Sequence, residues 1–182
     1  KLHVFGRNGQ PRFSPVALSG RFASPPQVDA NARTPRIVCF NTLGKAFVCN
    51  TEGTVFSLQL GKGNQKSLGI LAPISGDNRL DYAILQDNKL VASAYKGNAI
   101  QTVFSTQLPG KQDTIFEIEG IRIGSLHREK NQIFLLDNKG NIHPDFPLAG
   151  TGPFVVHPLR PGSKESLLLV GNNNQLYAYT IR

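Results

Sequence analysis

Side chains able to do chemistry are few and scattered. The four histidines, His3, His127, His143 and His157, fall at no metal-ligand spacing such as H-x-x-x-H or H-E-x-x-H. A histidine base needs a carboxylate or carbonyl to orient it, and the sequence names none for His157. No serine sits in a G-x-S-x-G elbow. Gly61-Lys62-Gly63-Asn64 lacks the spacing of a phosphate-binding loop. A hard cation such as calcium wants about six to eight oxygens at once, and the best pair of carboxylates on offer is Asp77 and Asp81 in SGDNRLD. No bound metal and no cofactor is therefore expected. What remains is the chemistry of two thiols, Cys39 and Cys49, and of a large set of lysines and arginines.

Strands must position these groups. Arg36–Leu60, RIVCFNTLGKAFVCNTEGTVFSLQL, reads as three antiparallel strands joined by turns at Leu43-Gly44-Lys45 and Thr51-Glu52-Gly53. Ile37, Val38, Phe40, Phe47, Val48, Val55 and Phe56 are β-branched or aromatic, which suits a pleated, half-buried surface. Phe56, Leu58 and Leu60 alternate with Ser57 and Gln59, the period-two signal. Glycine supplies the positive φ that tight turns need. With a three-residue turn at Leu43–Lys45, Cys39 and Cys49 face each other at disulfide range; with a two-residue turn Cys39 opposes Val48 and no bridge forms. Both outcomes stay open on the sequence. A bridge goes with an oxidising compartment, and an extracytoplasmic place (periplasm, cell surface or secreted) is expected.

The same unit recurs. Turns equivalent to Leu43-Gly44 fall at Asp87-Asn88, Lys130-Asn131 and Asn173-Asn174, and turns equivalent to Glu52-Gly53 at Asn8-Gly9, Lys96-Gly97 and Lys139-Gly140. Both ladders advance by 43 or 44 residues per step. A period of roughly 40–45 residues with four short strands per unit is the signature of β-propeller blades. The expected fold is all-β, one propeller segment over residues 1–182: a partial blade 1–20, full blades at about 21–60, 65–108 and 113–149, and a partial blade 153–182. A ring needs about four to eight full blades, so these do not close one by themselves. The chain opens KLHVF inside a strand and has no methionine, so it is expected to be a piece of a longer polypeptide. Contact with a second copy or with missing upstream blades is expected through the terminal edges, Gln175–Ile181 foremost.

Composition narrows the partners. Hydrophobic residues make up 40% and charged residues 18% of the 182 residues, a folded chain with a core. No apolar run approaches the length of a membrane span. Net charge is +8 and the pI about 9.8. Lys45, Lys62, Lys66, Lys111 and Lys130 are expected at one end of the blades and Arg33, Arg79, Lys96, Lys139 and Lys164 at the other, an evenly basic, solvated surface.

Glu165–Tyr179, ESLLLVGNNNQLYAY, and Asp137–Phe154, DNKGNIHPDFPLAGTGPF, resemble the blade endings and inter-blade segments of integrin-type (FG-GAP) and pyrroloquinoline-quinone-type propellers. The resemblance implies the fold. It also implies a calcium loop of the form D-x-D-G-D-G-x-x-D, but the matching stretch Asp29–Arg36 offers only Asp29 and Asn31 as ligands and carries two arginines. The quinone-type docking motifs need tryptophan, and the chain has none.

The expected function is a non-catalytic binding module that presents loops of a rigid disc to a protein or glycan partner. Arg21, Lys45, Lys62, Lys111 and Lys130 are the expected contact residues. The alternative is part of a propeller enzyme acting on glycans, with inward carboxylates around a central channel; the innermost strands offer Asp29, Glu117 and Glu119. Nucleic-acid or anionic-surface binding ranks third, because the aromatic residues sit at strand positions and are not interleaved with Lys and Arg on loops.

Overall fold

A computed structural model describes the chain except residues 31, 33, 78, 119–121, 164 and 165, and at 167 it describes the backbone alone. Asn31, Arg33, Glu119, Lys164 and Glu165, all used in the sequence reading, thus lie outside the described residues. The elements are all strands. β1 (Gln27–Asp29), β2 (Arg36–Phe40), β3 (Lys45–Cys49) and β4 (Val55–Gln59) form the first sheet in the order of the chain. β5 (Ser67–Ala72), β6 (Asp81–Gln86), β7 (Lys89–Lys96) and β8 (Ala99–Gln107) form the second. β9 (Thr114–Ile118), β10 (Arg122–His127), β11 (Gln132–Leu136) and β12 (Leu148–Ala149) form the third. β13 (Phe154–Pro158), β14 (Ser166–Asn172) and β15 (Gln175–Ile181) form a fourth, three-stranded sheet. All pairings are antiparallel between neighbours in sequence. This is the blade architecture that the repeat implied.

The two turn ladders are visible in the backbone. Gly44, Asp87, Asn131 and Asn173 take φ of 73°, 52°, 51° and 47° where second strands turn into third strands. Gly9, Gly53, Gly97 and Gly140 take 75°, 86°, 63° and 82° at the other ladder. The left-handed region costs an L residue energy unless it is Gly, Asn or Asp, so the positions select those types. Two expected strands come out shorter. The fourth strand of the third blade, read over Asn141–Pro147, reduces to a bridge Leu136↔Ile142 and the two residues of β12, because Pro144 and Pro147 have no N–H to pair. The segment Leu2–Leu18 pairs only through bridges Leu2↔Val16 and Phe5↔Pro11.

Both faces of the strands are apolar, and period two sends alternate residues to different neighbours. Along β11, Phe134 and Leu136 pack toward the second sheet while Ile133 and Leu135 pack toward the fourth. Along β6, Ala83 and Leu85 face the third sheet, and Tyr82 and Ile84 face the first. Along β3, Ala46 and Val48 face the second sheet, whereas Phe47 and Cys49 face the N-terminal residues Leu2, Phe13 and Val16. Buried clusters thus lie between successive sheets, face to face. Close approach of the first two sheets is set by a small residue: a Cβ on Gly69 would run into the Phe40 ring, while within the third sheet Gly124 makes room for the ring of its cross-strand partner Phe116.

The last sheet has one covered face and one bare one. Leu168, Val170 and Ile181 are buried against the third sheet. On the opposite face Val155 is 62% and Leu176 74% exposed.

The register of β2 on β3 decides the cysteines. Asn41 N donates to Lys45 O, so the turn is Thr42–Gly44, one residue earlier than the sequence suggested. Moving the turn by one residue moves the pairing by two. Cys39 opposes Phe47 and Cys49 opposes Ile37. The thiols share a face but stand diagonally, where Cα atoms are about 7–8 Å apart, too far for a disulfide. Both are free and buried. The bridge allowed by the three-residue turn is therefore not formed. Burial, and for Cys39 also the nearby Cys49, push both thiols above their usual range.

Two measurements check this packing. Leu168→Ala is expected to cost about 2–5 kcal/mol in urea unfolding, and Leu176→Ala less than about 0.5 kcal/mol; an equal cost would mean that something covers the outer face. Without any reductant, a thiol reagent at mildly alkaline pH should react slowly with the native protein and rapidly with both cysteines after denaturation. Failure of the denatured chain to react would restore the bridge.

Candidate functional site

Antiparallel order assigns each loop to an end. Turns β2–β3, β6–β7 and β10–β11 share one end with the crossings from each fourth strand to the next blade. Backbone bonds stitch them together: Leu60 N and Gly61 N both donate to Gly44 O, Ser67 N to Thr42 O, Leu108 N to Asn88 O, and Gly150 N to Asn131 O. Two glutamines complete the stitching. Gln86 Oε1 accepts from Lys62 N (2.8 Å), and its Nε2 donates to Lys62 O (2.9 Å) and Ser67 Oγ (2.8 Å). Gln112 is 4% exposed; its backbone N donates to Asp87 O, its Nε2 to Pro109 O and Gly110 O, and its Oε1 accepts from Ser125 Oγ. These loops are held in place before any partner arrives.

The structure brings all five expected contact residues to this end. Arg21, Lys62, Lys111 and Lys130 are exposed there. Lys45 is half-buried, with its Nζ 5.9 Å from the Phe47 ring centroid. Lys66, Lys89 and Arg128 join them, so the turns and crossings of this end hold eight Lys or Arg against three carboxylates, Asp87, Asp113 and Glu129. At the other end the described residues of the 1–2 loops, the 3–4 turns and the adjoining strand ends hold seven, Arg7, Arg36, Arg79, Lys96, Arg122, Lys139 and Arg160, against five carboxylates, Asp29, Glu52, Asp77, Asp81 and Asp137. The evenly basic surface expected from sequence is thus replaced by an asymmetric one. Carboxylates make more of the difference than cations: at the far end Asp29, Asp77, Asp81 and Asp137 accept bonds from backbone N–H groups of its loops and turns.

That far end contains a cleft of about 430 Å³, lined by Thr34, Arg36, Asp77, Arg79, Asp81 and Tyr95 among others. Its carboxylates, Asp77 and Asp81, are engaged by the protein itself, and so is Asp29, which is bonded to the lining residues Ala32 and Arg36. Asp29, 2% exposed, accepts from Arg36 Nη2 at 2.6 Å and from Ala32 N at 3.1 Å. Arg36, one of the arginines that spoil the calcium loop, thus occupies the first ligand of that loop. Asp77 Oδ1 accepts from Ser75 Oγ (2.9 Å) and Arg79 N (3.1 Å), and Asp81 Oδ2 from Ser75 N (2.6 Å). Ser75 and Arg79 lower the exposed Asp77 carboxyl. Burial pushes the Asp81 carboxyl up, against the pull of the Ser75 bonds. Burial also pushes the Tyr82 hydroxyl beneath up to about 12. Among the described residues no three of His, Cys, Asp and Glu gather as a metal site. Of the channel-lining candidates, Glu117 is exposed on β9, and His157 is exposed on β13 with Nδ1 3.0 Å from Pro158 O.

Sequence reasoning missed the apolar part of the basic end. Phe22 and Leu43 are 37% and 46% exposed there. With Arg21, Lys66 and Leu68 they line a cleft of about 500 Å³. No motif marks them, because each belongs to a different loop.

The raised Asp81 carboxyl has a stability consequence. Its contribution is fully present below the ordinary carboxylate value near pH 4 and is lost as the pH rises from there through the higher folded value, because the unfolded chain releases the proton more readily. The unfolding free energy of the wild type minus that of Asp81→Asn is expected to decrease from about pH 4 upward. A difference that grows over this range would contradict the burial effect.

No protein-family model matches the chain, and no curated protein matches it. Among solved structures, the chain is similar to BBS1N in a crystal structure of its complex with ARL6DN: 12% identity, covering 97% of this chain and 58% of that one, with a TM-score of 0.65. It is also similar to a streptogramin B lyase: 16% identity, covering 89% of this chain and 56% of that one, with a TM-score of 0.55. The chain therefore spans less than three-fifths of either structure. Both neighbours are β-propellers, one in a protein complex and one a lyase. At such identities the likeness is one of fold, and this chain is an all-β protein built of β-propeller blades.

Proposed function

We propose that the chain is a non-catalytic binding module, and that the end of the blades carrying the β2–β3, β6–β7 and β10–β11 turns docks a protein with an acidic surface. One observation carries this: eight cations against three carboxylates at that end, on loops already fixed by backbone and glutamine hydrogen bonds. Fixed loops lose little entropy on binding, and a field of one sign speeds encounter and rejects basic partners. The complex formed by one structural neighbour supports a protein as the kind of partner. An acidic protein surface suits this end better than a channel-centred reaction suits the innermost strands, where Asp29 is already paired to Arg36.

Charge reversal at the two ends tests the reading. Proteins retained by the immobilised chain at physiological salt are expected to be lost with Lys62→Glu, Lys111→Glu and Lys130→Glu combined. They are expected to stay with Lys96→Glu and Lys139→Glu combined. The reverse pattern, or retention indifferent to salt and to both sets, would overturn it.

A further inference from the structure

The basic end is not uniformly polar. Its cleft of about 500 Å³ between the first two blades adjoins a smaller one of about 130 Å³ between the second and third. Both are lined by Lys66 and Leu68. They form one groove, running along the crossing from the first blade toward the third. At its wide end Phe22, Leu43 and Leu68 supply an apolar wall, with Arg21 and Lys66 beside it and no carboxylate among the lining residues. At its narrow end Lys111 is offset by Asp87 and Asp113.

The walls are fixed from behind. Thr42 N donates to Arg21 O (2.7 Å) and Ser67 N to Thr42 O (2.9 Å), which ties both sides of the wide end to one turn. Asn41 Oδ1 accepts from Leu43 N and Lys45 N, and Phe22 packs edge-on to Phe47. Two large apolar side chains thus stay half out in water because the backbone holds them there.

Resting on the reading of this end as a protein-docking surface, we propose that the groove takes an extended acidic segment of a partner protein. One large apolar side chain of that segment enters between Phe22 and Leu43, and carboxylates beside it meet Arg21 and Lys66. The volume falls within the range of sites that engulf a side chain or small ligand. The mixture, an apolar pocket rimmed by cations, matches an acidic peptide with an aliphatic or aromatic anchor. Single-stranded nucleic acid wants successive aromatic platforms, and this groove offers Phe22 alone.

A fluorescein-labelled short peptide rich in Asp and Glu with one central Leu is the probe, read by anisotropy against the whole chain. Binding is expected in the micromolar range, and at least about tenfold weaker when the central Leu becomes Ser. Leu43→Asp and Lys66→Glu should each weaken it by about tenfold or more, and by more than Lys130→Glu does, while Lys139→Glu, at the far end, leaves it within about twofold. Leu43 is exposed, so its replacement should leave the thermal melt unchanged, and Leu43→Ser stands in if it does not. If Lys66→Glu and Lys130→Glu weaken binding alike and the central Leu is immaterial, the groove is refuted while the basic docking end survives. If no peptide binds, but a retained protein is still lost on charge reversal at this end, the groove alone falls. A thymidine oligonucleotide that displaces the peptide and binds more tightly would assign the groove to nucleic acid and refute the proposal.

Discussion

Each sheet in this chain has two apolar faces and can bury both only against neighbouring layers, another sheet or, for the outer face of the first, the bridged N-terminal segment. Everything else in the structure follows from that. A single four-stranded sheet with two greasy faces is not stable in water, because the hydrophobic gain needs a second surface to close on. Period-two alternation solves the problem by dealing residues to both sides in turn: Ile133 and Leu135 one way, Phe134 and Leu136 the other. The sheets stack, and the stacking distance is set where a glycine receives a ring, as Gly69 receives Phe40. Any side chain at Gly69 would push two sheets apart and loosen a whole interface.

Stacked sheets fix where the loops go. Because each sheet is a simple antiparallel meander, its 2–3 turn and the crossing to the next sheet emerge together, and they hydrogen-bond to one another. Gln86 and Gln112 do for the crossings what a longer strand would do, satisfying backbone groups that have no ladder partner. The result is a rigid end whose loops come from several blades. Rigidity of this kind suits recognition, since little is left to order when a partner binds. The fourth sheet shows the other consequence: a face with no sheet against it leaves Val155 and Leu176 in water.

Charge is distributed by the same geometry. Asp29, Asp77 and Asp81 sit in 1–2 loops or at their ends, and Asp137 sits in a 3–4 turn, accepting bonds from local backbone N–H groups. These turn-holding carboxylates offset most of the positive charge of the far end. The near end uses mainly glutamine and backbone bonds for the same purpose, with Asp113 holding Arg128 N, so its lysines keep more of their field.

Much of the fold was legible in the sequence because turns are local. Gly44, Gly53, Asp87 and Asn131 need positive φ, and their types and spacing declare it. Alternating apolar residues declared the strands, and the period declared the blades. Where the prolines cut the fourth strand of the third blade was visible in Pro144 and Pro147 but was overridden by pattern. The register of β2 on β3 was not legible, since Leu43-Gly44-Lys45 and Thr42-Leu43-Gly44 both make sensible turns, and the pairing that separates the cysteines depends on which is used. The candidate site was legible only in part. Lysines in loops could be assigned to an end by counting strands. The groove could not, because Phe22, Leu43 and Leu68 lie on three different segments: Phe22 meets Leu43 only when its segment pairs beside Asn41, and Leu68 joins them only when the second sheet stacks on the first. Local backbone chemistry therefore determined the blades, while contact between residues distant in sequence, which only the packed sheets create, decided the surface they present.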